Sequence, residues 1–209
     1  MHPSENTRDV LLSAARRLFS EKGFDATTVR EISDAAGVNI SLISYHFNGK
    51  EGILQACLDQ FGRARLASAQ RLLQPPRSEE EFRVRLEMFM DEFFHAYLEH
   101  PEVTRIIQLR CELNPSLTDD IFKETFLKVF ETLAGFVKGA QKNGIVPKDL
   151  DPLTTGSIMF ASIVHFIRID HMNQRHMGQT LKDAKYREKL SRHLIEILLH
   201  GVCAGKKGN

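Results

Sequence analysis

Charge of either sign is almost absent in net terms: 28 basic and 27 acidic side chains leave the 209-residue chain at +1. Residues 1–50 are just as even, with six of each sign. Bulk electrostatics therefore points to no polyanionic partner, and any nucleic-acid reading must rest on arrangement. Cysteine is scarce: Cys57, Cys111 and Cys203 are far apart and odd in number. They fit reduced core residues in a cytoplasmic protein better than a disulfide or zinc framework. No stretch of about twenty apolar residues lacks a charge, so no membrane span is expected. The N-terminal segment is amphipathic and unlike a signal peptide. No internal repeat or low-complexity run is present.

Strand alternation is also missing, and nearly every segment has helical periodicity. The chain is expected to be all-α, with about nine helices and 42% hydrophobic residues to fill a core. Val10, Leu11, Ala14, Ala15, Leu18 and Phe19 mark a first helix over 4–21, stopped by Gly23. Thr27 or Thr28 caps a second, where Thr28 to Glu31 reads as a capping box. Gly37 ends it, and Asn39 or Ser41 opens a third, closed by Asn48-Gly49. Longer helices are predicted at about 50–73, 78–99, 101–114, 117–142, 152–171 and 182–202, with a polar connection over 172–181. Asp151-Pro152 places a cap and an N1 proline in their preferred order.

Two short helices joined by a glycine turn make a helix-turn-helix, whose second helix enters the major groove. In the third helix Ser41, Ser44, Tyr45 and Asn48 share one side, and Ile40, Ile43 and Phe47 the other. Small hydroxyl residues let a helix axis approach base edges. Tyr45 can reach a phosphate or stack on a sugar. Thr27, Thr28 and the free N–H groups of the second helix can hold a phosphate, and Lys50 can touch the backbone. Such helix pairs also occur as plain pieces of α-bundles, and His46 beside Phe47 fits a structural histidine equally well.

The run from Ala14 to Leu54, AARRLFSEKGFDATTVREISDAAGVNISLISYHFNGKEGIL, resembles the N-terminal domain of TetR-family transcriptional regulators. The family's A-x-x-L-F-x-x-x-G-[FY] element, its I-[AS]-x-x-A-G-V element, a Y-x-H-F variant and K-E follow in order. One departure is that many members carry tyrosine two residues before the histidine, where this chain has Ser44, with the tyrosine at Tyr45. Leu42 stands where relatives often have threonine, and either meets a thymine methyl or packs.

The resemblance implies a helix-turn-helix domain over 1–50, an effector-binding and dimerisation domain over 51–204, and a disordered tail over 205–209. It implies DNA contacts by Thr27, Thr28, Arg30, Asn39, Ser41, Leu42, Ser44, Tyr45, His46 and Lys50. It implies a homodimer through the last two helices, drawing on Ile163, Ile167, Leu190, Leu194, Ile197 and Leu198. A helix apolar almost all round at 152–171 agrees with an isologous contact, although a central core helix of a monomer has the same pattern. The family's effector pocket maps here to Phe89, Phe93, Phe94, Arg105, Phe126, Phe130, Phe160 and His165. His95, Arg110 and Arg168 are further polar groups near it in sequence. That lining suits a hydrophobic or anionic effector, such as an acyl or aromatic acid. The implied function is a repressor released from a palindromic double-stranded operator by a small molecule.

An enzyme is the main competing class, and the chain offers it little. It has no glycine-rich phosphate loop and no nucleophile motif, and His165, His171 and His176 lack the i, i+4 spacing of a helical metal site. No metal, cofactor or membrane partner is expected. A helical ligand-binding or interaction protein without sequence-specific DNA binding is the remaining alternative.

Overall fold

The computed structural model describes residues 3–113 and 119–201, with side chains over 7–107 and 120–201. The described residues are helical in the order α1 (Pro3–Lys22), α2 (Val29–Ala36), α3 (Ser41–Phe47), α4 (Lys50–Leu72), α5 (Glu79–Glu99), α6 (Pro101–Leu113), α7 (Asp119–Ile121), a π-helical stretch (Phe122–Phe126), α8 (Leu127–Lys142), α9 (Pro152–Met177) and α10 (Ala184–His200). Taking 119–142 as one helical segment, the all-α expectation of nine holds among them. The expected tail at 205–209 and the cysteines at 111 and 203 lie outside the described side chains.

The chain forms two units, 1–64 with 100–126 and 65–99 with 127–209. The first therefore reaches past the boundary expected at residue 50. It takes the first part of α4 and also the segment 100–126, because Val103 and Ile106 of α6 are buried with the core of α1 to α4. That core includes Leu11, Leu12, Ala15, Phe19, Ile32, Ile43, Phe47, Ile53 and Leu54. At Gly52 an added methyl would land on the Phe47 carbonyl oxygen, so only glycine lets α4 begin so close to the end of α3.

The 117–142 expectation of one regular helix is corrected by the π-helical stretch. Thr125 is fully buried there, and its hydroxyl donates to the Ile121 carbonyl oxygen at 2.6 Å. It lies against Gly62 of α4, where no side chain other than hydrogen would fit. Thr125 thus meets the glycine from within the π-helical stretch, a rare geometry found mostly as single turns inside α-helices.

In the second unit Phe82, Leu86, Phe89, Phe93 and Phe94 of α5 pack with Leu133, Phe136 and Val137 of α8 and Met159 and Ile163 of α9. The α9 helix runs to Met177, six residues beyond its expected end, and stops at left-handed Gly178. The expected polar connection over 172–181 is thus mostly helix. Nothing in H-M-N-Q-R-H-M breaks a helix, and Asn173 faces inward. Asp170, also buried, accepts from the Leu181 N–H at 2.7 Å and the Thr180 hydroxyl at 3.2 Å, pinning the turn into α10. By length and composition alone, Pro152–Met177 is apolar enough to cross a membrane, contrary to the expectation from charge spacing. Here one side of it packs into the core of its own unit.

Candidate nucleic-acid interface

The helix-turn-helix is built from local signals that the structure uses in full. Thr28 is the N-cap of α2: the Glu31 N–H donates to its hydroxyl at 3.2 Å, and Glu31 Oε2 accepts from the Thr28 N–H at 2.8 Å. Two orphan amides of the first turn are satisfied in this way. Glu31 also pairs with Lys22 at the end of α1. The Lys22 ammonium and then the two Thr28 bonds hold the Glu31 carboxyl down at about 2. The start of α2 therefore already carries a fixed carboxylate, and a DNA phosphate arriving there would share the site with it.

Gly37, at φ 66°, closes α2 with bonds from its own N–H to Asp34 and from the Val38 N–H to Ser33. That paired pattern is a Schellman motif. Asn39 then caps α3 by accepting from the Ser41 N–H at 2.9 Å and the Ser41 hydroxyl at 2.8 Å. Asn48, at φ 57°, ends α3 in the left-handed region. The recognition helix is thus closed at both ends by residues that the sequence singles out, Asn39 through its side chain and Asn48 through its left-handed backbone.

Its two faces differ as expected, with one exception. Ile43 and Phe47 are buried, and the Arg8 guanidinium lies over the Phe47 ring at 5.2 Å. Ile40, placed on the apolar side by its spacing, is exposed because it precedes the first turn and has no helical neighbour to cover it. Ser41, Ser44, Tyr45 and Asn48 are exposed, Tyr45 to 80%. Leu42 is half-buried and packs on the core. His46 is half-buried, with its ring edge-on to Tyr45 at 4.9 Å.

Two of the expected DNA contacts point elsewhere. Thr27 is 1% exposed, and its hydroxyl donates to the Gly23 carbonyl oxygen at 2.7 Å. Lys50 donates to the carbonyl oxygens of Phe24 at 2.9 Å and Thr27 at 2.8 Å, with its ammonium 4.3 Å from the Phe24 ring centre. The ammonium is thus held by the carbonyls of a short turn against an aromatic ring. Thr28, Arg30, Asn39, Ser41, Ser44 and Tyr45 remain as the exposed members of the set. The Arg8–Phe47 contact carries no local sequence signal, since 39 positions separate the partners.

Of the expected effector residues, five come together in the second unit. Phe89, Phe93 and Phe94 are buried, and Phe160 lies edge-on to both Phe93 (5.4 Å) and Phe130 (4.7 Å). His165 is exposed, with its ring 5.5 Å from that of Phe166. Arg105 and Phe126 belong to the first unit, where Phe126 stacks on Phe122 at 6.0 Å. His95 is exposed on α5, its Nδ1 2.9 Å from the Asp91 carbonyl oxygen, and Arg168 is exposed on α9. The side chain at position 110 lies outside the described residues.

Among the expected dimer residues, Ile163, Ile167 and Leu190 are buried in the chain's own core, and Leu194 and Leu198 are half-buried against it. Those first three leave little surface for a partner, at 0%, 7% and 8% exposure. Ile197 is 49% exposed. The apolar surface of α9 that remains open is carried by Leu153, Ile158, Val164, Met172 and Met177.

Comparison with known proteins agrees with this geometry. The model of "Bacterial regulatory proteins, tetR family" matches residues 11–57. The HTH-type transcriptional repressor BepR of Brucella suis biovar 1 (strain 1330) is 29% identical over 173 residues, 77% of this chain and 78% of the relative. The probable HTH-type transcriptional regulator YttP of Bacillus subtilis (strain 168) is also 29% identical, over 126 residues and 59% of each chain. Two solved structures share the fold over 93% of this chain and 99% of their own. They are the regulator FadR from Bacillus subtilis in complex with stearoyl-CoA (TM-score 0.77, 19% identity) and PfmR from Thermus thermophilus (TM-score 0.71, 21% identity). Fold and site together define a helical transcriptional regulator with an N-terminal helix-turn-helix. Over residues 11–57 the chain matches the N-terminal domain of the tetR family of bacterial regulatory proteins, and beyond it the similarity to the regulators named above is at 29% identity or below.

Proposed function

We propose that the chain is a dimeric repressor that reads a palindromic operator through α3 and leaves it when an apolar, acid-headed effector binds the second unit. The observation that carries the proposal is the division of α3, with Ile43 and Phe47 buried while Ser44 and Tyr45 stand clear of the protein. A seven-residue helix with a rigid apolar root and an exposed hydroxyl face suits insertion into a groove. Two such helices in a two-fold dimer would meet half-sites about 34 Å apart.

The open apolar surface of α9 supports the dimer. Ile158, Ala161, His165 and Met172 recur at helical spacing on its exposed side, continuing through exposed Arg168. An apolar stripe of this kind with a few polar groups suits a self-complementary contact.

The effector reading draws on the phenylalanine cluster. Phe130 and Phe160 are half-buried and form the edge of the otherwise buried cluster. The FadR of similar fold holds stearoyl-CoA, which makes a long acyl thioester the first ligand to test. Release requires that the effector bind the DNA-free state more tightly than the DNA-bound one. The α4 helix has residues in both units and is the element we assign to carry the change.

The test is fluorescence anisotropy with duplex DNA from upstream of the chain's own gene. Wild type should bind a palindromic segment with a steep salt dependence, and S44A/Y45A should lose about 2–3 kcal/mol while keeping its melting temperature. Unchanged affinity in the double variant would sink the assignment of α3. Stearoyl-CoA should raise the apparent Kd, and no response to it would remove that effector class.

A further inference from the structure

The first unit holds a second concave site, away from the α3 hydroxyl face. Ser13, Arg16, Arg17 and Ser20 lie at i, i+3, i+4 and i+7 on one side of α1, and α6 packs beside them. Between the two helices is an open cleft of about 570 Å³, lined by those four residues and by His100, Pro101, Glu102 and Arg105. Three guanidiniums against one carboxylate leave the lining at +2 with His100 neutral. The one carboxylate, that of Glu102, lies 3.6 Å from His100 Nδ1. Among the described residues none of Arg16, Arg17 and Arg105 has a carboxylate partner within ion-pair distance. Several arginines elsewhere are paired, as Arg63 with Asp59, Arg83 with Glu79, Arg85 with Glu81 and Arg192 with Glu188.

Three like charges held around one concavity repel one another, and an anion placed between them relieves that repulsion. Planar guanidinium forks match phosphate oxygens in pairs. The serine hydroxyls can donate to the same oxygens, and the cleft takes in the start of α6 through Pro101 and Glu102. A volume near 570 Å³ is within the range of small-molecule sites and far larger than a single inorganic ion needs. We infer that this cleft between α1 and α6 binds a small phosphorylated molecule, with Arg16, Arg17 and Arg105 holding its phosphate.

The site is independent of the effector reading, since none of its residues belongs to the phenylalanine cluster. It also has a physical consequence for the DNA-reading unit. Leu11, Leu12 and Ala15 of α1 share one core with Ile43 and Phe47 of α3 and Val103 and Ile106 of α6. A ligand that ties α1 to α6 stabilises the unit that carries α3, by mass action.

Isothermal titration of the full chain with inorganic pyrophosphate and with AMP tests the inference. One saturable site per chain is expected, weakened severalfold by raising salt from about 50 to about 200 mM. R17Q/R105Q should weaken it about tenfold or more, and R192Q, on α10, should leave it unchanged. Should R17Q/R105Q melt below the assay temperature, the single variants R17Q and R105Q are read instead, each expected to weaken binding about threefold or more. No saturable binding of either probe below about 5 mM would overturn the inference. So would equal affinity in wild type and R17Q/R105Q. Stoichiometric displacement of pyrophosphate by duplex DNA would assign the cleft to the DNA footprint instead.

Discussion

The Lys50 ammonium donates to the carbonyl oxygen of Thr27 at 2.8 Å, across 23 positions of sequence, and so fastens the first turn of α4 to the loop before α2. The same nitrogen takes the Phe24 carbonyl at 2.9 Å. Lys50 thus fixes the frame of the helix-turn-helix from inside. Replacing it with methionine keeps the stem and removes the charged donor. Hydrogen bonds to charged groups of this kind are worth about 1.5–3 kcal/mol, so K50M should lower unfolding stability by about 2 kcal/mol. Urea denaturation followed by circular dichroism measures this. The salt slope of operator binding should stay as in wild type, because no phosphate contact is removed; a slope reduced by about one unit would return Lys50 to the DNA interface.

Glu31 gives a pH dependence with a definite sign. Its carboxyl is held at about 2 in the folded chain, against an ordinary value of 4.5. A depressed carboxyl contributes stability that is fully present above its unfolded pKa and is lost as pH falls through the folded one. The window is therefore from about pH 4.5 down to about pH 2. The melting temperature of wild type should exceed that of E31Q at pH 6, and the gap should narrow steadily below about pH 4.5. A gap that stays constant down to about pH 2.5 would show that the Lys22 and Thr28 contacts do not act on the charged form.

How much of this was legible in the chain follows from the range of each signal. Thr28, Gly37, Asn39 and Asn48 act within four residues of themselves, and the helix-turn-helix they frame was readable for that reason. Lys50 and Thr27 carry the right chemistry for DNA, yet their partners lie in a turn whose shape only the folded chain provides. Ile40 has the right spacing but sits before the helix begins. The π-helical stretch had no local signal, because nothing in F-K-E-T-F marks a wider turn and the residue its buried Thr125 meets, Gly62 of α4, is distant in sequence. On α9, apolar residues on every side left periodicity unable to say which side meets the chain's own core. Arg105 has the charge an acidic effector would need, yet its surroundings in the folded chain are Arg16 and Arg17 of α1.

Gly52 should be the least tolerant position in the frame. Its missing side chain allows α4 to start against the Phe47 carbonyl, and the obstruction is backbone, which cannot swing aside. G52A should cost about 3 kcal/mol, at the upper end for overpacked sites, and should weaken DNA binding more than its global stability loss explains, since α3 itself must shift. Thermal melts paired with anisotropy separate the two effects. A variant with wild-type stability would mean that the α3–α4 junction is more yielding than this geometry allows.

The two classes of residue on α9 should respond to substitution in opposite ways. Ile158 and Met172 are 54% and 56% exposed, whereas Ile163 is 0% exposed. A charge at the exposed pair has no folded-core penalty in the single chain but places like charges across a two-fold contact. I158E/M172E should therefore sediment as a monomer in analytical ultracentrifugation, with helical content unchanged. I163A removes buried volume and should cost about 3 kcal/mol of unfolding stability while the folded fraction remains dimeric. Operator affinity should collapse in the first variant, because a single α3 reads only half a site and loses the second half's contribution. A dimer that survives I158E/M172E would move the contact to another face, and the half-exposed Ile197 of α10 would then be the residue to substitute.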